Sequence, residues 1–200
     1  DEVRQTVDDF RCAARQAIAA GADGVEIHGA NGYLVQQFFA PNANTRTDKY
    51  GGSVDNRARF AIEVATAIAG EIGADRTAIR LSPGTPLWGI DEGAEGPALY
   101  RHLVTELDKL GLAYLHVSLQ GNEPQLADIR ERWRSTLILN RPGRTREAVG
   151  ADVASGLADL EAYGQMVLAN PDFVTRLKLG APMNDAIPNA FFGGDGRGYI

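Results

Sequence analysis

The sequence predicts an α/β fold made of repeated β/α units, a (β/α)8 barrel of which only part is present. Three observations predict it. Short β-rich runs alternate with helical patterns along the whole chain. A glycine stands between several of these helices and the following strand, where the chain needs the left-handed conformation that ends a helix. Chemically useful side chains stand at more than one strand end, as a barrel arranges them, and not in a single loop.

Taken in order, apolar residues at Val3, Val7, Phe10, Ala14 and Ile18 have the spacing of a helix with one buried face, and the helix should end at Gly21. A strand is expected at Gly24 to Ile27, a helix at Asn56 to Ile72 and a strand at Thr77 to Leu81. The same grammar recurs as Leu99 to Leu110, Gly111, Tyr114 to Val117, and again as Val149 to Ala154, Gly156, Leu160 to Tyr163. A further strand is expected at Leu137 to Leu139, and a last helix at Pro171 to Lys178 with Asn170 as its cap. A doubly wound sheet would usually carry a glycine-rich phosphate fingerprint after its first strand, and Gly29-Ala30-Asn31-Gly32 lacks that spacing. The barrel therefore fits better. Five strands are counted, against eight in a closed barrel of roughly 250 residues, so about three β/α units are expected before Asp1.

Composition narrows the partners. The 200 residues, 44% hydrophobic and 23% charged, suit one globular domain over positions 1–200. A net charge of −6, with the basic residues scattered, argues against a nucleic-acid partner or an anionic membrane surface. Cys12 is the single cysteine, which excludes an intrachain disulfide and a thiolate zinc cluster and suits a reducing, cytoplasmic setting. No apolar run is long enough to span a bilayer, and no secretory signal pattern opens the chain.

The chemistry concentrates in His28-Gly29-Ala30-Asn31-Gly32-Tyr33, directly after the Gly24-Val25-Glu26-Ile27 strand pattern. His28 and Asn31 can each donate a hydrogen bond to one shared acceptor, and Tyr33 adds a phenol able to hand over a proton. Such a set activates an electrophile; it is not a metal site. Arg80 stands inside an apolar strand, where a guanidinium needs an anionic or electron-rich neighbour, and an ion pair with Glu26 would serve as well as a ligand.

From Asp23 through Phe60 the chain reads DGVEIHGANGYLVQQFFAPNANTRTDKYGGSVDNRARF, which resembles the old yellow enzyme family of flavin-dependent ene-reductases. The resemblance continues through Ile79-Arg80-Leu81-Ser82-Pro83, Tyr114-Leu115-His116-Val117, Leu168-Ala169-Asn170-Pro171-Asp172, Phe191-Phe192-Gly193-Gly194 and Gly198-Tyr199. It implies barrel strands four to eight, with FMN lying across the carboxyl-terminal mouth and NAD(P)H as reductant. The amino-terminal half of the barrel would come from the same chain or a second one. The small-molecule partner it implies is an activated alkene, an enone or nitroalkene. His28 and Asn31 resemble the pair that holds the substrate's carbonyl oxygen, and Tyr33 resembles the proton donor. Arg80 matches an arginine beside the pyrimidine end of the flavin, and Phe192 an aromatic on the substrate side. The polar stretch Asn44 to Gly52 is read as scaffolding for the site loop.

The phosphate end departs from the family pattern. Barrels of this kind hold a cofactor phosphate near the loops after strands seven and eight. Family members commonly carry Gly-Gly, an aromatic and Thr in the first of these loops; here the run is Arg141-Pro142-Gly143-Arg144-Thr145, and proline has no N–H to offer. In the second, the usual Gly-Arg becomes Gly164-Gln165, which removes a forked cation. Gly143, Gly164 and Gln165 are the expected cofactor contacts. Arg141 or Arg144 would either supply the lost charge or be plain surface arginines. An alternative function follows, a barrel remnant that binds small carbonyl or phenolic ligands without retaining flavin.

Overall fold

The computed structural model describes residues 2–192 and 196–198; Gly193, Gly194 and Tyr199 of the motifs quoted above lie outside them. The chain divides into two compact units, Asp1–Glu161 and Ala162–Ile200.

The first unit opens with α1 (Glu2–Ala19), closed by Gly21 at φ 99°, and leads into β1 (Val25–Gly29). A short α2 (Leu34–Phe39) follows β1, and α3 (Val54–Ile72) precedes β2 (Thr77–Leu81). Helix α3 starts two residues before the expected Asn56 because Ser53 caps it, accepting from the Asn56 N–H at 3.3 Å. Next come α4 (Gly96–Asp108), β3 (Tyr114–Ser118), α5 (Glu123–Arg132), β4 (Thr136–Asn140), α6 (Ala151–Ala154) and β5 (Leu160–Ala162). Helix α4 begins at Gly96 and not at Leu99, since Pro97 suits the first turn. Helix α6 starts at Ala151, two residues after the expected Val149, behind Gly150 in the left-handed region at φ 85°.

The five strands lie in sequence order, β1-β2-β3-β4-β5. Those from β1 to β4 pair in parallel, and one register row runs His28↔Arg80↔His116↔Ile138. Side chains alternate across the sheet. Ile27, Ile79, Leu81, Leu115, Val117, Leu137 and Leu139 are buried in the main core with residues of α3 and α4. Glu26, His28, Arg80, Tyr114 and His116 occupy the alternate positions, none of them fully buried. The sheet thus has one apolar, helix-covered face and one polar face, unlike the doubly apolar strands usual in a parallel sheet.

Two polar anchors hold the segment after β1. The buried Arg57 donates to the Phe39 carbonyl at 2.9 Å and pairs with Glu95 at 2.7 Å, fastening α3 to the end of α2 and to the approach to α4. Asn44 donates to the carbonyls of Phe38 and Tyr50 at 2.8 and 2.7 Å, and Tyr50 donates to Glu63 at 2.8 Å. The polar stretch after α2 is therefore tied into the fold.

The second unit contains α7 (Gln165–Ala169) and α8 (Phe173–Leu179). The expected cap at Asn170 is not observed: α8 starts behind Asp172. The buried Asn170 side chain instead accepts from Asn184 N–H at 2.7 Å and donates to the carbonyls of Met166 and Asn184 at 2.9 and 3.1 Å, which engages the oxygen a cap would use. Among the described residues no helix is long and apolar enough to cross a membrane, and no cluster of metal-ligating side chains is found.

Candidate functional site

At the carboxyl end of β1 the chain makes a tight turn through two consecutive left-handed residues, Asn31 at φ 56° and Gly32 at φ 77°. A left-handed conformation costs a residue with a side chain about 1 kcal/mol or more, so something must hold it there. A buried network does. The Asn31 N–H donates to Ser82 Oγ at 2.8 Å, and the Gly32 N–H donates to Gln36 Oε1 at 2.7 Å. Ser82 Oγ donates to the same Gln36 oxygen at 3.0 Å, while Gln36 Nε2 donates to the Ser82 carbonyl at 3.1 Å and to Glu92 at 2.7 Å. Glu92 also accepts from Tyr100 Oη and, at 2.9 Å, from the Gly84 N–H. Burial and the adjoining carboxylate push the Tyr100 phenol well above its ordinary range, so it remains a donor.

The turn presents the predicted triad. His28 and Tyr33 face one another with ring centroids 5.0 Å apart, and Asn31 lies between them in the turn. Neither Asn31 nor Tyr33 uses its side-chain polar group in a hydrogen bond with a described residue, and the His28 ring is likewise unengaged apart from its contact with Tyr33. Burial and, second, the charge of Arg80 hold the His28 pKa below the ordinary histidine value, against the opposing pull of Glu26. His28 is thus a neutral imidazole at neutral pH, able to donate through one nitrogen.

Arg80 stands beside His28 in register. The ion pair with Glu26 weighed from sequence is not made. Burial pushes the Glu26 pKa up, but His116, whose Nδ1 lies 3.0 Å away, together with Tyr114 and the charge of Arg80, brings it below the ordinary carboxylate value. The Tyr114 phenol is pushed up to about 12 by its own burial and by Glu26. Half-buried Arg80 has no hydrogen bond or salt bridge with a described residue, and desolvation lowers its pKa. The Nε2 atom of His116, next in the same row, is buried without a hydrogen-bond partner among the described residues.

The loop after β4 is arranged differently. Gly143 lies there in the left-handed region at φ 76°. Arg141 and Arg144 are neither surface arginines nor uncommitted charge; their side chains are only 12% and 10% exposed. Arg141 grips Asp152 at 2.9 and 3.1 Å and Glu123 at 2.6 and 2.9 Å. Arg144 meets Asp152 at 2.5 Å and Glu161 at 2.8 Å. In the second unit Gly164 immediately precedes α7, Gln165 is its exposed first residue, and Phe192 is 93% exposed with an edge contact to Phe191 at 6.5 Å.

Sequence reasoning missed Gln36, Glu92 and Tyr100, and it quoted Ser82 without a role. Glutamine at 36 among apolar helix neighbours was the available signal, but its partners at Ser82 and Glu92 are 46 and 56 residues away along the chain.

A parallel β/α sheet with a pinned turn at a strand's carboxyl end is the architecture of part of a (β/α)8 barrel. The chain belongs to the old yellow enzyme group: the profile of the NADH:flavin oxidoreductase / NADH oxidase family matches residues 1–184. It is 45% identical over 96% of its length to putative 12-oxophytodienoate reductase 6 of Oryza sativa subsp. japonica, covering 51% of that protein. It is 43% identical over 98% of its length to 12-oxophytodienoate reductase 2 of Arabidopsis thaliana, covering 54%. Among solved structures, morphinone reductase in complex with tetrahydroNAD superposes with a TM-score of 0.91 at 40% identity, over 100% of this chain and 55% of that one. The old yellow enzyme homologue from Zymomonas mobilis gives 0.93 at 33% identity, over 100% and 58%. The chain spans about half the length of the curated relatives it matches and corresponds to part of the barrel. The family's cofactors are FMN and a nicotinamide nucleotide.

Proposed function

We propose that the full-length protein reduces the C=C bond of alkenes conjugated to a carbonyl or nitro group, using NAD(P)H and FMN. Positions 1–200 would be the carboxyl-terminal portion of one FMN-binding barrel domain, strands four to eight, with the remaining strands supplied by the same or a second chain. The observation that carries this reading is that the side chains of His28, Asn31, Tyr33 and Arg80 make no hydrogen bond with a described residue, while those of Gln36, Ser82 and Glu92 are engaged with one another.

Arg80 fits the cofactor. A half-buried cation that feels Glu26 only at a distance and makes no salt bridge with a described residue suits the edge of a ring system that becomes anionic on reduction. When bound, the flavin supplies the two-electron chemistry, accepting hydride from the nicotinamide and passing it to the alkene. His28 and Asn31 donate to the carbonyl or nitro oxygen as negative charge gathers there, and because the pinned turn already aims them, little reorganisation is needed. Tyr33 Oη delivers the proton to the α-carbon. Gly143, Gly164 and Gln165 are the candidate contacts toward the phosphate end, and Phe192 the candidate substrate-side aromatic. The single cysteine keeps a cytoplasmic setting as the preferred one.

A second reading, a ligand-binding barrel that does not retain flavin, is favoured by one region. Pro142 offers no N–H, Gln165 no charge, and both arginines of the β4 loop are held by carboxylates. Purified full-length protein decides between them. Flavin absorbance that accompanies the protein through gel filtration is expected; protein that stays colourless after incubation with FMN would establish the second reading.

A further inference from the structure

One member of the charged cluster behind the β4 loop holds backbone donors as well as an arginine. The Glu161 carboxylate, carried by β5, accepts from the Gly150 N–H at 2.6 Å, from the Asp152 N–H at 2.8 Å and from Arg144 Nη1 at 2.8 Å. Its side chain is only 5% exposed. Gly150 adopts φ 85°, a conformation open to glycine, and its N–H and that of Asp152 converge on the one carboxylate. A buried carboxylate is costly unless charge and hydrogen bonds answer it, and here both do. Two backbone N–H groups and a guanidinium are also the kind of donor set that holds a phosphate oxygen, because both anions ask for charge-assisted donors.

With β4 and β5 read as barrel strands seven and eight, the loops that follow them are where such barrels hold a cofactor phosphate. Here Arg144 faces Asp152 as well as Glu161, and Arg141 spans Asp152 and Glu123. Two arginines are thus set against three carboxylates. A phosphate brought beside them would meet guanidinium groups already answered and the repulsion of like charge. Pro142 has no N–H to add. Arg80, the candidate contact for the ring system, makes no salt bridge with a described residue.

We propose that Glu161 is an internal anion that takes the place of the cofactor's phosphate, so that flavin is bound through its ring system and riboflavin is accepted about as tightly as FMN. The inference rests on the reductase reading and adds the form of cofactor that the site selects. Glu161 is its specificity-determining residue, and Arg144 is the cation that Glu161 withholds.

The test measures equilibrium binding of FMN and of riboflavin to flavin-free full-length protein, by quenching of flavin fluorescence and without turnover. Unaltered protein should bind the two with dissociation constants within about tenfold of each other. Glu161→Gln keeps the shape and an acceptor oxygen but removes the charge, so it should tighten FMN by about tenfold and leave riboflavin unchanged. Adding Arg144→Met to Glu161→Gln should abolish that gain. Unaltered protein that prefers FMN to riboflavin by more than about tenfold would overturn the inference and leave the reductase reading standing. A Glu161→Gln variant that folds and binds FMN no better would do the same. If Glu161→Gln does not fold, the ratio measured for the unaltered protein still decides. Unaltered protein that binds neither flavin removes the reductase reading and the inference with it.

Discussion

The turn after β1 and the loop after β4 treat their polar side chains in opposite ways. At the β1 turn, Gln36, Ser82, Glu92 and Tyr100 are buried and mutually bonded, and the side chains of His28, Asn31, Tyr33 and Arg80 make no hydrogen bond with a described residue. In the β4 loop, Arg141 and Arg144 stand among Glu123, Asp152 and Glu161, so their forks are already filled from within the fold. Charge alone does not mark a binding site. Arg141 and Arg144 each meet two carboxylates and act as structural ties, whereas Arg80 makes no hydrogen bond or salt bridge with a described residue and feels Glu26 only at a distance.

Substitution should separate the two kinds of arginine. Arg141→Leu breaks a buried ion pair and leaves Asp152 short of a counter-charge, so it should cost about 3 kcal/mol of unfolding free energy. Arg80→Leu removes a desolvated charge that makes no salt bridge with a described residue and should change stability by no more than about 1 kcal/mol, both read from denaturant unfolding of the full-length protein. Equal costs would erase the contrast. Tyr33→Phe tests the turn as chemistry. Alkene reduction should slow on the order of 100-fold, with flavin reduction by the nicotinamide affected less and stability unchanged, because that hydroxyl bonds to no described residue. Ser82→Ala leaves the Asn31 N–H unpaired and should cost about 1–2 kcal/mol, with weaker binding of a carbonyl ligand; Ser82→Thr, which keeps the hydroxyl, should recover the binding.

The smallest effect is electrostatic. Arg80 helps to hold the His28 pKa down, so Arg80→Leu should move the His28 titration toward its ordinary value in an NMR pH series. The sign for stability follows. A histidine whose folded pKa is depressed binds fewer protons folded than unfolded, so stability rises with pH across the window between its folded value and the ordinary one. It is lost as pH falls through the folded value. That window should narrow in Arg80→Leu, and an unmoved titration would show that burial alone sets the shift.

Much of this was legible in the chain. Thr77–Leu81 was located to the residue, because a buried parallel strand bounded by turn signals announces itself. Helices α2, α5 and α7 were not anticipated: two have only five or six residues, and α5 buries only Leu126 and Ile129. Short or weakly amphipathic helices owe their existence to packing and leave little periodicity to read. His28, Asn31 and Tyr33 were visible because they are neighbours in sequence. The network that aims them was not, since Gln36 meets Glu92 only after the chain has passed through α3 and β2.

By itself the sequence determined the β/α alternation, the donor set after β1 and the family, because each is written in residues close together along the chain. The tertiary structure alone decided which polar groups are committed and which are left for a ligand. Hydrogen bonds and ion pairs are settled by what arrives opposite each side chain, and for Arg80 and Arg141 that is decided by distant parts of the chain.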